Sequence, residues 1–335
     1  MHTTVLTLST FREVSAALSE PTLTLDGVRA SGLPGTLTPR SERRGAVSAD
    51  DIARLLPFMV QTAHALAVAL PSGQRVDLVH AFAEPWSRGL ALASVGRAPA
   101  EGPAEGVRLL ELARRIFLGA AHASSRESAT HSADDVIELA RALSSVESSF
   151  AVQSFVALSH TLPVALAGAW LVLASEPGAW QQLRETPDRR AGAIEELLRL
   201  ASPARAVFRQ ATADVTLGET RIRAGQELVL ELQRANRCPA SFPYPDRFVP
   251  ERFAAGPDRQ RHVGLGLAPH ACAGSALVRL AMDISTTALL EEFDEITPVG
   301  EVDWLNGGAI RAPSSCTVVL RRAGRRQATG EPCAP

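Results

Sequence analysis

The chain has 335 residues, 46% of them hydrophobic, which is enough to bury a large core. Its formal net charge of −2, with Arg far in excess of Lys, gives no basis for nucleic-acid binding. Cys238, Cys272, Cys316 and Cys333 show neither CxxC nor disulfide spacing, which excludes a disulfide-stapled scaffold and points to a reducing cytoplasm.

At the N-terminus, Val5-Leu6-Thr7-Leu8 followed by residues 10–18 reads as a strand and then a short amphipathic helix. The start lacks the basic opening and apolar core of a secretory signal. A Gly/Pro/Thr-rich loop covers residues 26–40 and runs into a basic stretch with Arg40, Arg43 and Arg44. Ser48, followed by Asp50 and Asp51, has the chemistry of a helix N-cap with acids in the first turn. A helix is predicted from there to about Leu70, and a second from Asp77 to about Ser94, parted by Pro71-Ser72-Gly73. A third helix covers residues 104–121, and residues 122–131 read as a polar, mobile stretch.

Asp134-Asp135 caps a helix to Leu143, and Ser144 opens the longest helical pattern, which ends near Ser175. Its most apolar part, residues 162–174, contains Pro163 and Gly168, is too short to cross a bilayer and reads as a buried helix. Further helices begin at Pro177 and Asp188, the second ending before Pro203. The pattern then changes to period two at residues 207–212, 215–217, 220–222 and 227–230, with Gly218 and Gly225 as turns, so a small sheet is predicted. Residues 236–260 are loop-like, residues 317–320 form a final strand, and the tail is polar, with residues 326–335 predicted to be disordered.

One stretch carries the chemistry: Gly264-Leu265-Gly266-Leu267-Ala268-Pro269-His270-Ala271-Cys272-Ala273-Gly274. A cysteine ends a Gly/Pro-interrupted loop, and an amphipathic helical pattern starts at Ser275. Inward-turned amides and a helix N-terminus both favour thiolate over thiol, so the loop suits an anionic sulfur ligand for a metal. Taken alone, the same cysteine reads more readily as a small buried hydrophobe.

Two further features lie upstream in order. Glu196 and Arg199 stand at i and i+3 on one helix face, and Pro250-Glu251-Arg252-Phe253 places a second arginine in an otherwise loop-like segment. The ordered set resembles the cytochrome P-450 superfamily of haem-thiolate enzymes. The resemblance runs from about Leu143 to the end and includes Arg209-Gln210-Ala211-Thr212, Ala235-Asn236-Arg237-Cys238-Pro239 and Pro245-Asp246-Arg247-Phe248-Val249-Pro250.

The resemblance implies a mainly α fold with a small β region, in one haem domain over residues 1–325 with truncated N-terminal and lid segments. It implies Cys272 as the axial ligand of the iron of haem b, with Gly266 and Gly274 shaping the loop. His270 and Arg209 match positions that pair with haem propionates, and His262 matches either a family position or a turn residue. Glu196, Arg199 and Arg252 would form a buried structural network. Leu265 stands where the family has Phe, and Ala268 where it has Gly.

In the long helix, family members that activate dioxygen carry Ala-Gly-x-Asp/Glu-Thr, where this chain has Ala157-Leu158-Ser159-His160-Thr161. Thr161 keeps the alcohol; His160 replaces the acid and can carry a proton, bind substrate or iron, or face a neighbouring helix. Pro163 is expected to kink the helix. In the weaker N-terminal match, Arg43 and Arg44 are the nearest candidates for a propionate partner. The implied activity is a cytoplasmic bacterial monooxygenase or oxidative-coupling enzyme of specialised metabolism. Its substrate would be a small molecule or a carrier- or peptide-bound one, its electron donors a separate ferredoxin and ferredoxin reductase, with neither nucleic acid nor membrane as partner. Peroxide-driven or non-redox haem chemistry, and a non-enzymatic auxiliary of a glycosyltransferase, are the alternatives.

Overall fold

The computed structural model describes residues 5–24, 47–97, 103–122, 126–143, 150–254 and 260–322. Arg43, Arg44 and the tail beyond Arg322 lie outside the described residues. The architecture is mainly helical with small sheets, as the sequence pattern implies. The strand Leu6–Leu8 leads into the helix Phe11–Ser19, which starts on a reciprocal cap: Thr10 Oγ1 accepts the Glu13 amide and Glu13 Oε2 accepts the Thr10 amide. Ser48 caps Ala49–Ala69 in the predicted way, accepting the Asp51 amide at 3.0 Å.

The stretch after Pro71 carries a strand that the sequence pattern does not predict, just ahead of the predicted helix. Arg75–Asp77 is a strand that pairs antiparallel with Thr317–Arg321, which also pairs with Glu295–Pro298. Asp77 Oδ1 accepts amides from Val79 and Cys316, each at 2.9 Å, so the carboxylate ties the strand to its distant partner before the chain turns helical. A π-helical segment, Val79–Ala83, then leads into Glu84–Ser94. Pro103–His122 follows, and the next helix begins at Arg126, earlier than its predicted start at Asp134.

The long helix runs from Phe150 to Ser175 with a π-helical segment at Ala157–Thr161. Pro163 lies just beyond it. Proline has no N–H for the Ser159 carbonyl and its ring crowds that turn, so the wider turn takes up the misfit and the Leu162 amide reaches the Ala157 carbonyl. The expected kink therefore takes the form of a π segment. Val152–Ser175 spans 24 residues, longer than the apolar run suggests, and its most apolar 18-residue window has mean hydropathy 1.7, yet 67% of that window is buried inside the fold. Ala49–Ala69 is also long and apolar enough to cross a membrane, with 22% of the corresponding window buried.

Trp86, Phe82 and Trp170 lie at the centre of the main apolar cluster, with Trp170 edge-on to Phe82 at 5.3 Å. Trp170 also donates to Thr286 Oγ1 at 3.2 Å, which joins the long helix to the helix Ser275–Glu292. A second cluster sits under a four-stranded sheet in which Leu6–Leu8 lies parallel to Glu227–Leu230, and Val207–Ala211 and Leu23–Thr24 continue the sheet. Val215–Leu217 and Thr220–Ile222 form a separate hairpin.

Candidate functional site

Helix Arg190–Ala201 carries two adjacent glutamates that face opposite tasks. Successive helical residues point about 100° apart, so Glu196 and Glu195 reach different neighbours. Glu196 receives Arg199 in a two-pronged pair at 2.7 Å each, and its Oε1 also takes the Val249 amide at 3.0 Å and Arg252 Nε at 3.3 Å. Arg199 is fully buried and spends its remaining donors on the carbonyls of Asn236, Pro245 and Arg247, while its guanidinium lies over the Phe242 ring. Arg252 adds the carbonyls of Tyr244 and Pro243. The helix thus brings the three predicted network residues together and pins the loop that follows.

Glu195 turns toward the cysteine loop, a link that no single motif revealed. Its Oε2 accepts His262 Nε2 at 3.2 Å, and both oxygens accept Arg279, through Nε and at 3.0 Å from a terminal nitrogen. Gly264 N–H donates to His262 Nδ1 at 3.0 Å, so Nε2 is the protonated nitrogen facing the carboxylate. Burial alone would raise the Glu195 carboxyl, but the bonds from His262 and Arg279 override it and hold it at about 2. His262 and Arg279 lie on either side of Cys272, so one carboxylate ties both ends of the loop to the helix. The available signal was the pair of consecutive glutamates and an arginine seven residues, two helical turns, after the cysteine.

Within the loop, backbone bonds set the shape. Gly266 N–H donates to Val263 O at 2.9 Å, His270 N–H to Leu267 O at 3.0 Å and Cys272 N–H to Leu265 O at 2.7 Å. Gly266 has φ +67°, and a Cβ there would approach the His270 carbonyl to 3.2 Å. A Cβ on Gly264 would meet the Leu198 carbonyl at 2.5 Å, so glycine lets the loop lie directly on the helix. Cys272 is half-buried, and its Sγ is 4.0 Å from where a Gly274 Cβ would stand, against the first turn of Ser275–Glu292. Arg279 is drawn further toward its charged form by Glu195 first and also by Cys272. The sulfur therefore sits at a helix N-terminus beside a guanidinium, both of which favour thiolate.

Leu265 packs on the main apolar cluster, whereas Val263 and Leu267 pack on the sheet cluster that includes Leu228. Leu228 is the cross-strand partner of Arg209, which is 3% exposed. The loop with His270 and the strand with Arg209 are thereby held against the same apolar cluster.

In the main cluster that Leu265 packs on, Leu158 and Leu162 are buried, and the neighbouring Thr161 is half-buried. His160 turns toward the helix Pro103–His122, its ring centroid 5.8 Å from that of Phe117. Ser159 Oγ donates to Phe155 O at 2.6 Å, so the 2.8 Å contact to His160 Nδ1 runs from the imidazole N–H to the hydroxyl. Burial, then the positive charges of Arg88 and Arg114, lower the imidazole to about 4. His160 is thus neutral at pH 7. The unfolded chain takes up the proton near 6.5 and the native one only near 4, so stability falls as pH drops through that window. That separation corresponds to on the order of 3 kcal/mol. Urea titrations at pH 7 and pH 4.5 are expected to show a loss in the parent protein that is much smaller in His160→Leu; an equal loss in both would show that His160 is not the titrating group.

The family profile described as "Cytochrome P450" matches residues 191–310, the span that holds the Glu196–Arg199 helix and the Cys272 loop. The chain has the cytochrome P450 fold, and the profile match lies in its C-terminal half. Its sequence is similar to 20-oxo-5-O-mycaminosyltylactone 23-monooxygenase of Streptomyces fradiae, 39% identical over 132 residues that are 39% of this chain and 30% of that enzyme. The chain thus spans about a third of the length of the curated relatives it matches. Among solved structures it resembles P450BioI in complex with a hexadec-9Z-enoic acid-ligated acyl carrier protein, with a TM-score of 0.79 at 21% identity over 94% of this chain and 92% of that one. It also resembles the tirandamycin C-bound P450 monooxygenase TamI, with a TM-score of 0.71 at 27% identity over 95% and 90% of the two chains. These likenesses extend over the N-terminal half, where motifs are weakest.

Proposed function

We propose that this chain is a cytochrome P450, a haem-thiolate oxidoreductase in which Cys272 is the protein's ligand to the iron of haem b. The observation that carries this reading is the sulfur's place: half-buried, at a helix N-terminus, in a loop whose glycines leave no room for a side chain. The donor set fits the group. Among the described residues no three His, Cys, Asp or Glu converge on a metal-sized site, so Cys272 suits a metal that arrives within its own macrocycle. When bound, a thiolate-ligated haem supplies iron rich in electron density, which favours O–O cleavage. Arg209 and His270 would pair with the propionates, and Gly266 and Gly274 keep the loop close to the ring.

The organic substrate would lie between the loop and the long helix, where Leu158 and Leu162 give an apolar wall. The named relatives favour a product of bacterial specialised metabolism, free or carrier-bound, as substrate, and the protein would be cytoplasmic and fed by a separate ferredoxin and its reductase. Thr161 would orient a proton near the iron. His160, neutral at pH 7 and turned to Phe117, is better suited to holding the π segment than to carrying that proton.

The altered segment Ala157–Thr161, with His160 in place of the acid, favours a second reading, in which peroxide replaces dioxygen or the chemistry is non-redox. Expression with added haem is expected to give one haem per chain, and turnover of a bound lactone should be compared with ferredoxin-driven and peroxide-driven support. A chain that stays colourless contradicts the proposal, and peroxide support that far exceeds ferredoxin support selects the second reading.

A further inference from the structure

Away from the cysteine loop, a cleft of about 560 Å³ opens at the N-terminus of Phe11–Ser19. Arg205, Arg234, Arg237 and Arg311 line it together with Cys238, and Glu231 is the one carboxylate among its lining residues. The walls come from separate parts of the chain that are firmly tied. Arg205 N–H donates to Ala309 O at 2.8 Å, Arg311 N–H to Pro203 O at 3.0 Å, and the Gln233 amide bonds Ser202 O and Arg311 O at 2.8 Å each.

The charges are poorly balanced. Glu231 pairs with Arg234 at 2.9 Å, and Asp246, which is 80% exposed and outside the cleft, pairs with Arg237. Arg205 gives its Nε–H to Gly308 O, and Arg311 lies on the Trp304 ring at 4.3 Å; neither meets a carboxylate among the described residues. Burial disfavours the charged form of Arg237, and the positive charges of Arg199 and Arg311 add to that effect. The Cys238 thiol is held below its ordinary value, by the Phe11 amide first and by those of Ala240 and Ser241. Four arginines line one cleft, the nearby amides of Phe11, Ala240 and Ser241 are turned to the Cys238 sulfur, and the volume is that of a small-molecule site.

We propose that this cleft binds a small organic phosphate monoester, with its dianion held among Arg205, Arg234 and Arg311. A phosphate monoester presents three oxygens in different directions and a double charge, and can engage guanidinium groups from three segments at once, whereas a carboxylate offers two oxygens in one plane and a single charge. The rest of the cleft takes the organic part, and Cys238 lies at its edge. This site is independent of the haem reading and would persist if that reading failed.

Glucose 6-phosphate is a suitable probe for the full chain, with glucose and chloride at equal ionic strength as controls. Calorimetric titration is expected to give one site per chain, with inorganic phosphate weaker and glucose silent. At ten times the dissociation constant, the folded-to-unfolded ratio should rise about elevenfold in thermal unfolding. Arg234→Gln with Arg311→Gln, both exposed positions, should leave the ligand-free midpoint in place and abolish the rise. Labelling of Cys238, followed by peptide mapping, should be faster with an anionic aromatic disulfide than with a neutral one, and glucose 6-phosphate should slow it. Binding that survives in the double variant, a probe no better than glucose, or succinate binding as tightly as the phosphate ester would each overturn the proposal.

Discussion

Arg199→Met is expected to destabilise the protein by about 3–5 kcal/mol, the cost of leaving a buried ion pair with one partner. Arg199 is fully buried, and its loss strands the carbonyls of Asn236, Pro245 and Arg247 along with Glu196. Arg252 and the Val249 amide still bond Glu196, which keeps the effect within that range and not above it. Arg199→Lys should rescue little, because an ammonium cannot present a planar fork to both Glu196 oxygens and three carbonyls. Arg189, whose pair with Glu251 is more than half exposed on both sides, is the control. Arg189→Ala should change stability by less than about 1 kcal/mol. Urea midpoints for the three variants check the ranking, and an Arg199→Met midpoint within that of Arg189→Ala would show that the network is not structural.

Cys272→Ser is expected to have the opposite profile, nearly silent in stability and decisive in chemistry. The loop holds its shape through backbone bonds from Gly266, His270 and Cys272, and through Glu195 gripping His262 and Arg279. None of these needs the sulfur. The variant should therefore unfold within about 1 kcal/mol of the parent, as is usual for a half-exposed position, while any haem it retains has lost its thiolate ligand. Its reduced carbon monoxide complex should then lack the strongly red-shifted Soret band, and oxidation of substrate should cease. Unchanged spectra would assign the iron to another residue.

Much of this was legible because it is local or strongly patterned. Ser48 announces its helix by cap chemistry, and Glu196, Arg199, Arg252 and Cys272 stand in an order that isolated pairs do not have. The strand Arg75–Asp77 was not legible, because what makes it a strand is Thr317–Arg321, some 240 residues away. Its local pattern runs smoothly into a helix. The π segment at Ala157–Thr161 was anticipated only as a bend, since Pro163 specifies that a hydrogen bond is missing but not how the turn relaxes. Glu195 was hidden by its neighbour: the same two-residue pattern serves two networks, and only the packing of Arg279 and His262 separates them. The sequence left several roles open for His160, and the packing of Phe117 and the charges of Arg88 and Arg114 now define its surroundings.

The most direct test of the haem-thiolate reading is the absorption spectrum of the purified protein, reduced with dithionite and exposed to carbon monoxide. The strongly red-shifted Soret band of a thiolate-ligated ferrous complex is predicted. A protein that takes up no haem, or one that gives only the unshifted band of a nitrogen-ligated complex, would contradict it.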